Sequence, residues 1–337
     1  MSLTLCFCVN PQNIDRLQSA FRKYLLSPAP KNILYGQTPD AFSSVKSSGD
    51  PIALLVETRM AHDVIKNLCD DFDRQERRVK FIYSLSAGVD AYRLSELTSE
   101  LRGIPIHNAQ GCFSSILAEH VAFSMLYFNR CLWRIMESRR TKKWDPFNMI
   151  ELRGQQVVVV GYGDIGQKCG QKAAALGMKV TGIRRSGNNM VDEHGVTVRS
   201  NDALDEVIHD ADFVVGVLPG TAHTTHFFNK EMFAKMKPSA VFINIGRGQT
   251  QCEADVVDAL NRGVIRGAAL DVFETEPLPE ESLIWTLPDD KVLLTAHCAD
   301  WTDDLVDLTT KRFTDIYRDY TTFGKSSAYT VHLERGY

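Results

Sequence analysis

Val157-Val158-Val159-Val160-Gly161-Tyr162-Gly163-Asp164-Ile165-Gly166 is the stretch that decides the fold. Four consecutive valines suit a strand buried on both faces, as in a parallel sheet. The glycines behind them are spaced Gly161-x-Gly163-x-x-Gly166. Gly161 allows a tight turn off the strand, Gly163 lets the backbone approach a pyrophosphate, and Gly166 lets the next helix pack on the strand. That helix is expected over about 164–176, with Asp164 and Ile165 in its first turn. Its N-terminal amides and positive dipole end would face the phosphates. Gly177 suits its C-cap, and Met178 to Ile183 reads as the second strand. Turns also select glycine, so the spacing alone is weak; the strand before it and the helix after it give it weight.

The end of the second strand indicates which dinucleotide. An NAD site usually carries an acid there for the ribose 2′-OH. This chain has Ile183-Arg184-Arg185-Ser186, and the next acid, Asp192, lies further along the loop. Guanidinium groups grip a 2′-phosphate that an acid would repel. The reading is NADP(H) in preference to NAD(H), held by Arg184, Arg185 and Ser186; the alternative is a solvated basic turn.

The rest of the chain sets bounds. Its 337 residues suffice for two domains. With 44% hydrophobic and 24% charged residues it has the composition of an ordinary globule. A net charge of −4 gives no electrostatic case for nucleic-acid binding. No apolar run reaches the ~18 residues of a membrane span. Met1–Asn10 lacks a basic leader segment and runs into Pro11, so it reads as a first strand. Eight cysteines are scattered without a Cys-x-x-Cys pair. Reduced thiols, no metal site and a cytoplasmic setting are expected.

Apolar strands alternate with helical stretches, the pattern of parallel α/β sheets. In the first hundred residues strands are expected near 3–8, 31–35, 52–56, 80–85 and 104–107, with helices near 12–25, 60–69 and 90–100. One long apolar helix is expected over 113–135, followed by a polar stretch around 137–155. Further strands are expected near 212–217, 240–245, 265–270 and 291–294, and helices near 201–209, 229–235 and 252–262. A last helix, about 302–322, should pack back on the N-terminal unit. A cleft between two such domains is where a small substrate and a nicotinamide would meet.

Three segments each follow an expected strand: Asn244-Ile245-Gly246-Arg247-Gly248, Leu270-Asp271-Val272-Phe273-Glu274-Thr275-Glu276-Pro277, and Thr295-Ala296-His297-Cys298. Ligands bind at that edge of an open α/β sheet. Reducing a 2-oxo acid requires a proton donor and a cation for the carboxylate besides the hydride. His297 titrates near neutrality, Glu276 would favour its charged form, and Arg247 can grip a carboxylate and polarise a carbonyl. Asp271 could accept from the nicotinamide carboxamide. Singly, each has a bland reading: a structural histidine, an arginine on a carbonyl, a solvated turn. Their joint appearance after the glycine fingerprint favours the catalytic reading.

With these motifs the chain resembles the D-isomer-specific 2-hydroxyacid dehydrogenases over almost its whole length. The resemblance also rests on His107-Asn108-Ala109-x-Gly111, Ala118-Glu119-His120 and Leu152-Arg153-Gly154. It implies an α/β fold of two domains: a Rossmann-type doubly wound parallel sheet plus a smaller flavodoxin-like substrate domain. The expected boundaries are 109–297 for the dinucleotide domain and 1–108 with 298–337 for the discontinuous substrate domain. It implies Arg247, Glu276 and His297 as the catalytic set and Asp271 as a nicotinamide contact. The cofactor would also touch Tyr162, Leu218, Pro219, Thr225, Ile245 and Gly246. Backbone N–H groups of Ala87, Gly88 and Val89, in the loop Ser86-Ala87-Gly88-Val89-Asp90, would hold the substrate carboxylate. The basic pair resembles the NADPH-using glyoxylate and hydroxypyruvate reductases, and a homodimer through the 113–135 helix is implied.

There are departures. Gln251-Cys252-Glu253 stands where the family has Val-Asp-Glu, and Cys caps a helix poorly. Cys298-Ala299-Asp300-Trp301 follows the histidine, with Trp301 either walling the substrate pocket or packed in the core. Two competing readings are a dinucleotide-sensing, corepressor-like interaction protein and an NAD-linked dehydrogenase of another small acid.

Overall fold

The computed structural model describes residues 2–24, 26–58, 60–70, 77–186 and 189–333. They form two compact units, one of residues 1–113 with 302–337 and one of residues 114–301. The chain therefore divides at 113 and 301, not at 108 and 297. Side-chain bonds explain both offsets. Asn108 donates to the Ala87 carbonyl at 2.6 Å and Arg312 to that of Gln110 at 2.8 Å, which keeps the segment after 107 with the first unit. The N–H groups of Cys298 and Ala299 donate to the Asp271 carboxylate at 3.1 and 3.2 Å, which keeps that segment with the second.

The first unit carries β1 (Thr4–Cys8), β2 (Ile33–Gly36), β3 (Ile52–Val56), β4 (Val79–Ser84) and β5 (Ile106–His107), all parallel in the order β2-β1-β3-β4-β5. That is the flavodoxin-like order. Helices α1 (Ile14–Lys23), α2 (Ser43–Ser48) and α3 (Ala61–Leu68) connect the strands. The expected 90–100 helix is instead two short 3₁₀ turns, Asp90–Tyr92 and Leu94–Leu97, because Arg93 between them sits at φ 48°.

The second unit opens with the expected long helix, which is in fact two: α4 (Ser114–Asn129) and α5 (Leu132–Arg140). Cys131 at φ 50° breaks the run. The Asn129 side chain holds the break, accepting from Arg266 at 3.0 Å and donating to Gln155 at 2.6 Å. Then follow β6 (Gln156–Val160), α6 (Asp164–Ala175), β7 (Lys179–Ile183), β8 (Met190–Val191) and β9 (Thr197–Arg199). Next come α7 (Leu204–Val207), β10 (Phe213–Gly216), α8 (Lys230–Ala234), β11 (Val241–Asn244), α9 (Glu253–Asn261), β12 (Gly267–Leu270) and β13 (Val292–Leu294). The expected 201–209 helix is only the single turn of α7 between two 3₁₀ turns, and the short β8 and β9 were not expected. The strand order is β13-β12-β11-β10-β6-β7-β9-β8, parallel apart from β8 against β9. The strands β9-β7-β6-β10-β11-β12 follow the doubly wound dinucleotide-binding order, with two further strands, β13 and β8, at the edges.

Val157 to Val160 are all buried, as a central parallel strand requires. Val158 and Val160 join Val214, Phe242, Ala268 and Leu270 in one core. Each fully buried valine contributes about 1.5–3 kcal/mol relative to exposure. α10 (Leu305–Phe323) belongs to the first unit, where Phe313 meets Phe7 and Phe21 at ring separations of 5.8 and 5.5 Å.

Candidate active site

The glycine turn has the shape its spacing demands. Gly161 sits at φ 102°, and a Cβ there would lie 2.5 Å from the Val217 carbonyl oxygen. A Cβ on Gly166 would lie 2.3 Å from the Gly161 oxygen. A Cβ on Gly163 would meet nothing within 4 Å, so the space above the N-terminus of α6 is open. Asp164 begins α6 and accepts from the Ser114 hydroxyl. Ile165 is half-buried behind it. Tyr162 turns inward: its ring fills the slots left by Gly170 and Gly182, and its hydroxyl donates to Asp192 at 2.7 Å. Only its backbone can therefore face a cofactor. Asp192 also accepts from the N–H groups of His194 and Val196, which engages the acid the sequence left open.

Arg184 and Arg185 directly follow β7. Arg185 and Ser186 are exposed, whereas Arg184 is half-buried. Its Nε is buried without a hydrogen-bond partner among the described residues. A buried cationic donor without an acceptor is costly unless a ligand supplies one. The open space over Gly163 fits the pyrophosphate of a dinucleotide, and the orphaned donor fits an anionic group on a ligand.

Leu218 and Pro219 follow β10 and are half-buried; a Cβ on Gly246 would lie 2.7 Å from the Leu218 oxygen, so the two strand-end loops touch. Ile245 is buried. Thr225 is exposed, and its hydroxyl donates to the Thr221 carbonyl at 3.0 Å.

Beyond β12 and β13 lies a linked set of polar groups. His297 Nδ1 and Glu276 Oε2 are 2.8 Å apart. A carboxylate accepts, so Nδ1 carries the proton of that bond. The other carboxylate oxygen accepts from the Phe273 N–H at 3.0 Å, which fixes its rotamer. The Glu276 hydrogen bond is the main cause that raises His297 above its ordinary pKa, against desolvation and the Arg247 charge. Burial pulls the Glu276 carboxyl up, but the bonds from His297 and Phe273 and the charges of His297 and Arg247 leave it below its ordinary value. The Arg247 guanidinium thus acts on both, and its Nη1 donates to the Gly246 carbonyl at 2.9 Å.

Asp271 underlies this set. It is 2% exposed, and its Oδ1 accepts from the Thr295 hydroxyl at 2.6 Å and from the N–H groups of Cys298 and Ala299. Its carbonyl takes the His297 N–H at 2.8 Å. Asp271 therefore ties down the turn that carries His297 at φ 49°, work the sequence reading did not assign to it. Asp300 was also missed as a site group: burial pushes its carboxyl up, opposed by the charges of His297 and Arg247. Trp301 is 74% exposed and so is no part of a packed core.

In the first unit, the loop after β4 is held by the Asn108 side chain on the Ala87 carbonyl and by the Ala109 N–H on that of Ser86 at 3.3 Å. Ala87 and Gly88 are half-buried and Val89 is buried. Among the described residues their three N–H groups donate to no backbone carbonyl.

Fold and site together define a dinucleotide-binding α/β protein with an acid–base pair and a cation at the strand ends. Residues 122–299 match the family described as D-isomer specific 2-hydroxyacid dehydrogenase, NAD binding domain. The chain belongs to that family, as its motifs implied. It is 34% identical over 222 residues to a probable 2-ketogluconate reductase of Dictyostelium discoideum, covering 64% of this chain and 65% of that protein. The chain thus spans just under two thirds of that relative's length. It is 29% identical over 263 residues to a glyoxylate reductase of Pyrococcus furiosus, covering 74% and 72%. It is also similar to the solved NADPH-dependent glyoxylate/hydroxypyruvate reductase of Sinorhizobium meliloti in complex with NADP and sulfate. That likeness has a TM-score of 0.76 at 28% identity and covers the whole of both chains.

Proposed function

We propose that this chain reduces a small 2-oxo acid, such as glyoxylate or hydroxypyruvate, to the D-2-hydroxy acid with NADPH. The observation that carries the reading is the His297–Glu276 bond at 2.8 Å with the Arg247 charge acting on both. The names of the Pyrococcus and Sinorhizobium proteins support the substrate class, and the NADP of the latter supports the cofactor.

In this reading the bound reduced nicotinamide supplies a hydride to substrate C2. Arg247 grips the carboxylate and polarises the carbonyl. Because Nδ1 faces Glu276, the imidazolium offers its Nε2 proton to the carbonyl oxygen. Glu276 keeps His297 charged towards higher pH and fixes its orientation. Gly161, Gly163 and Gly166 with the α6 N-terminus hold the pyrophosphate, and Arg184, Arg185 and Ser186 hold the 2′-phosphate. Asp271 Oδ2, which among the described residues takes only a long 3.4 Å contact from Ala299, is left to accept from the carboxamide. The N–H groups of Ala87, Gly88 and Val89 suit a carboxylate, and Trp301 offers an apolar wall to the substrate side chain.

A homodimer is part of the proposal. The second unit exposes Trp144, Met136, Ile135, Phe123 and Leu126 on and after α4 and α5. Large apolar side chains left exposed along these two helices suit an interface with a second copy.

Initial rates with glyoxylate, hydroxypyruvate, pyruvate and phenylpyruvate, each with NADPH and NADH, test the reading. Turnover of at least one acid with a lower KM for NADPH is expected. No turnover on any acid contradicts the function, and an NADH preference contradicts the cofactor assignment.

A further inference from the structure

We propose that Glu253, Glu274 and Gln251 are positioning residues that lock the loop bearing Glu276 to the segment bearing Arg247. This rests on the assignment of those two residues to 2-oxo acid reduction. The segment after Arg247 and the loop before Glu276 come from different strands, β11 and β12, so something must set their spacing. Three links do so. Gly248 lies against the Phe273 backbone so tightly that a Cβ would be 1.9 Å from the Phe273 carbonyl carbon. Gln251, wholly buried, accepts from Asn244 Nδ2 at 2.9 Å and donates to the Val272 carbonyl at 3.1 Å. Glu253 and Glu274 exchange bonds: the Glu274 carboxylate accepts the Glu253 N–H at 2.6 Å, and the Glu253 carboxylate accepts the Glu274 N–H at 2.6 Å.

The exchange resolves the weak cap expected at Cys252. Cys252 makes no side-chain cap bond to α9, and Glu274, 21 residues away, does that work. It is a demanding solution. Burial raises the Glu253 carboxyl, and the negative charges of Glu274 and Glu276 add to that, with His226 at 3.6 Å as a partner to Glu274. A single serine or aspartate at 252 would cap the helix without crowding three carboxylates. What the exchange adds is a tether two residues from Glu276. Glu276 itself must span from the Phe273 N–H to His297, so a loosened loop weakens the pairing that keeps the imidazole charged.

The test compares Glu253→Ala, Glu274→Ala and Glu274→Gln in the full chain, with Glu276→Ala alongside. The readouts are kcat and KM for glyoxylate or the best acid of the panel, NADPH affinity by fluorescence titration, and the pH profile of kcat/KM. Displacing catalytic groups by about an ångström costs up to about a hundredfold. Either alanine variant should therefore lower kcat ten- to a hundredfold, leave NADPH affinity unchanged and move the alkaline limb to lower pH. Glu274→Gln keeps an acceptor oxygen and should restore most of the rate. The double alanine variant should be no worse than the poorer single one, since the two bonds form one unit. Glu253→Ala leaves the α9 cap in place, so it reports even where Glu274→Ala folds poorly. Wild-type kcat and an unmoved limb in Glu253→Ala, while Glu276→Ala moves it, overturns the positioning role alone. An unmoved limb and rate in Glu276→Ala overturns the underlying catalytic assignment.

Discussion

Replacing Gly163 by alanine separates cofactor binding from folding. The residue has negative φ, at −92°, and the new methyl would meet no atom of the protein within 4 Å. The fold should tolerate it, with a stability change inside the ~0.5 kcal/mol usual for neutral surface sites. A bound pyrophosphate, however, would lie where that methyl projects. Forcing a methyl into a filled space costs about 1–3 kcal/mol. At 1.36 kcal/mol per tenfold change, the Kd for NADPH should rise about five- to a hundredfold. Fluorescence titration of NADPH gives the affinity, and thermal unfolding without ligand gives the stability. Gly161→Ala is the contrast, since its Cβ meets the Val217 carbonyl at 2.5 Å and its φ is positive, so it should lower Tm as well. Wild-type affinity in Gly163→Ala would show that the phosphates do not pass over this turn.

Other outcomes follow from the same geometry. Arg184→Ala should raise KM for NADPH about ten- to a hundredfold, the ~1.5–3 kcal/mol of a charged hydrogen bond, and leave KM for NADH nearly unchanged; equal effects on both cofactors would contradict its place at the 2′-phosphate. Gly248→Ala should lower Tm by about 3–10 °C, from ~1–3 kcal/mol of overpacking in a domain of this size, because the Phe273 backbone must move. A Tm shift under about 1 °C would refute the close approach. For the acid–base pair the signs are set by the pKa directions. His297 is raised, so its contribution to stability is full below its unfolded value of 6.5 and is lost as pH rises through the folded value. Glu276 is lowered, so its contribution is full above 4.5 and is lost as pH falls through its folded value. The pair therefore stabilises the fold fully between those two limits. Glu276→Gln should move the alkaline limb of reductive kcat/KM to lower pH, and an unmoved limb would contradict the pairing.

The sheets were legible because strands buried on both faces read as unbroken apolar runs, Val157 to Val160 above all. The glycine turn was legible because sterics leave few residues able to stand at Gly161 and Gly166. The break at Cys131 was hidden because Leu132, Trp133, Ile135 and Met136 continue an apolar pattern, although α5 leaves Ile135 and Met136 exposed. Arg93 likewise gives no local sign of the left-handed conformation that ends a helix at 90–100. His297, Glu276 and Arg247 could be picked out because each follows a strand end. The supports of that set could not. Glu274 caps a helix that begins 21 residues earlier, Gln251 bridges two strand ends, and Asp271 ties a turn that begins 24 residues later. Such bonds depend on tertiary placement that no local pattern encodes. Tyr162 shows the same limit: its place in the motif suggests a cofactor contact, yet its side chain fills space left by Gly170 and Gly182.

The central claim is that His297, oriented by Glu276, delivers the proton to the substrate oxygen. Its most direct test is single-turnover NADPH oxidation by His297→Ala with a saturating 2-oxo acid, with NADPH affinity measured on the same sample. A rate lowered about 10²–10⁴-fold with unchanged NADPH affinity is expected. A rate within a few-fold of wild type at full NADPH occupancy would contradict it.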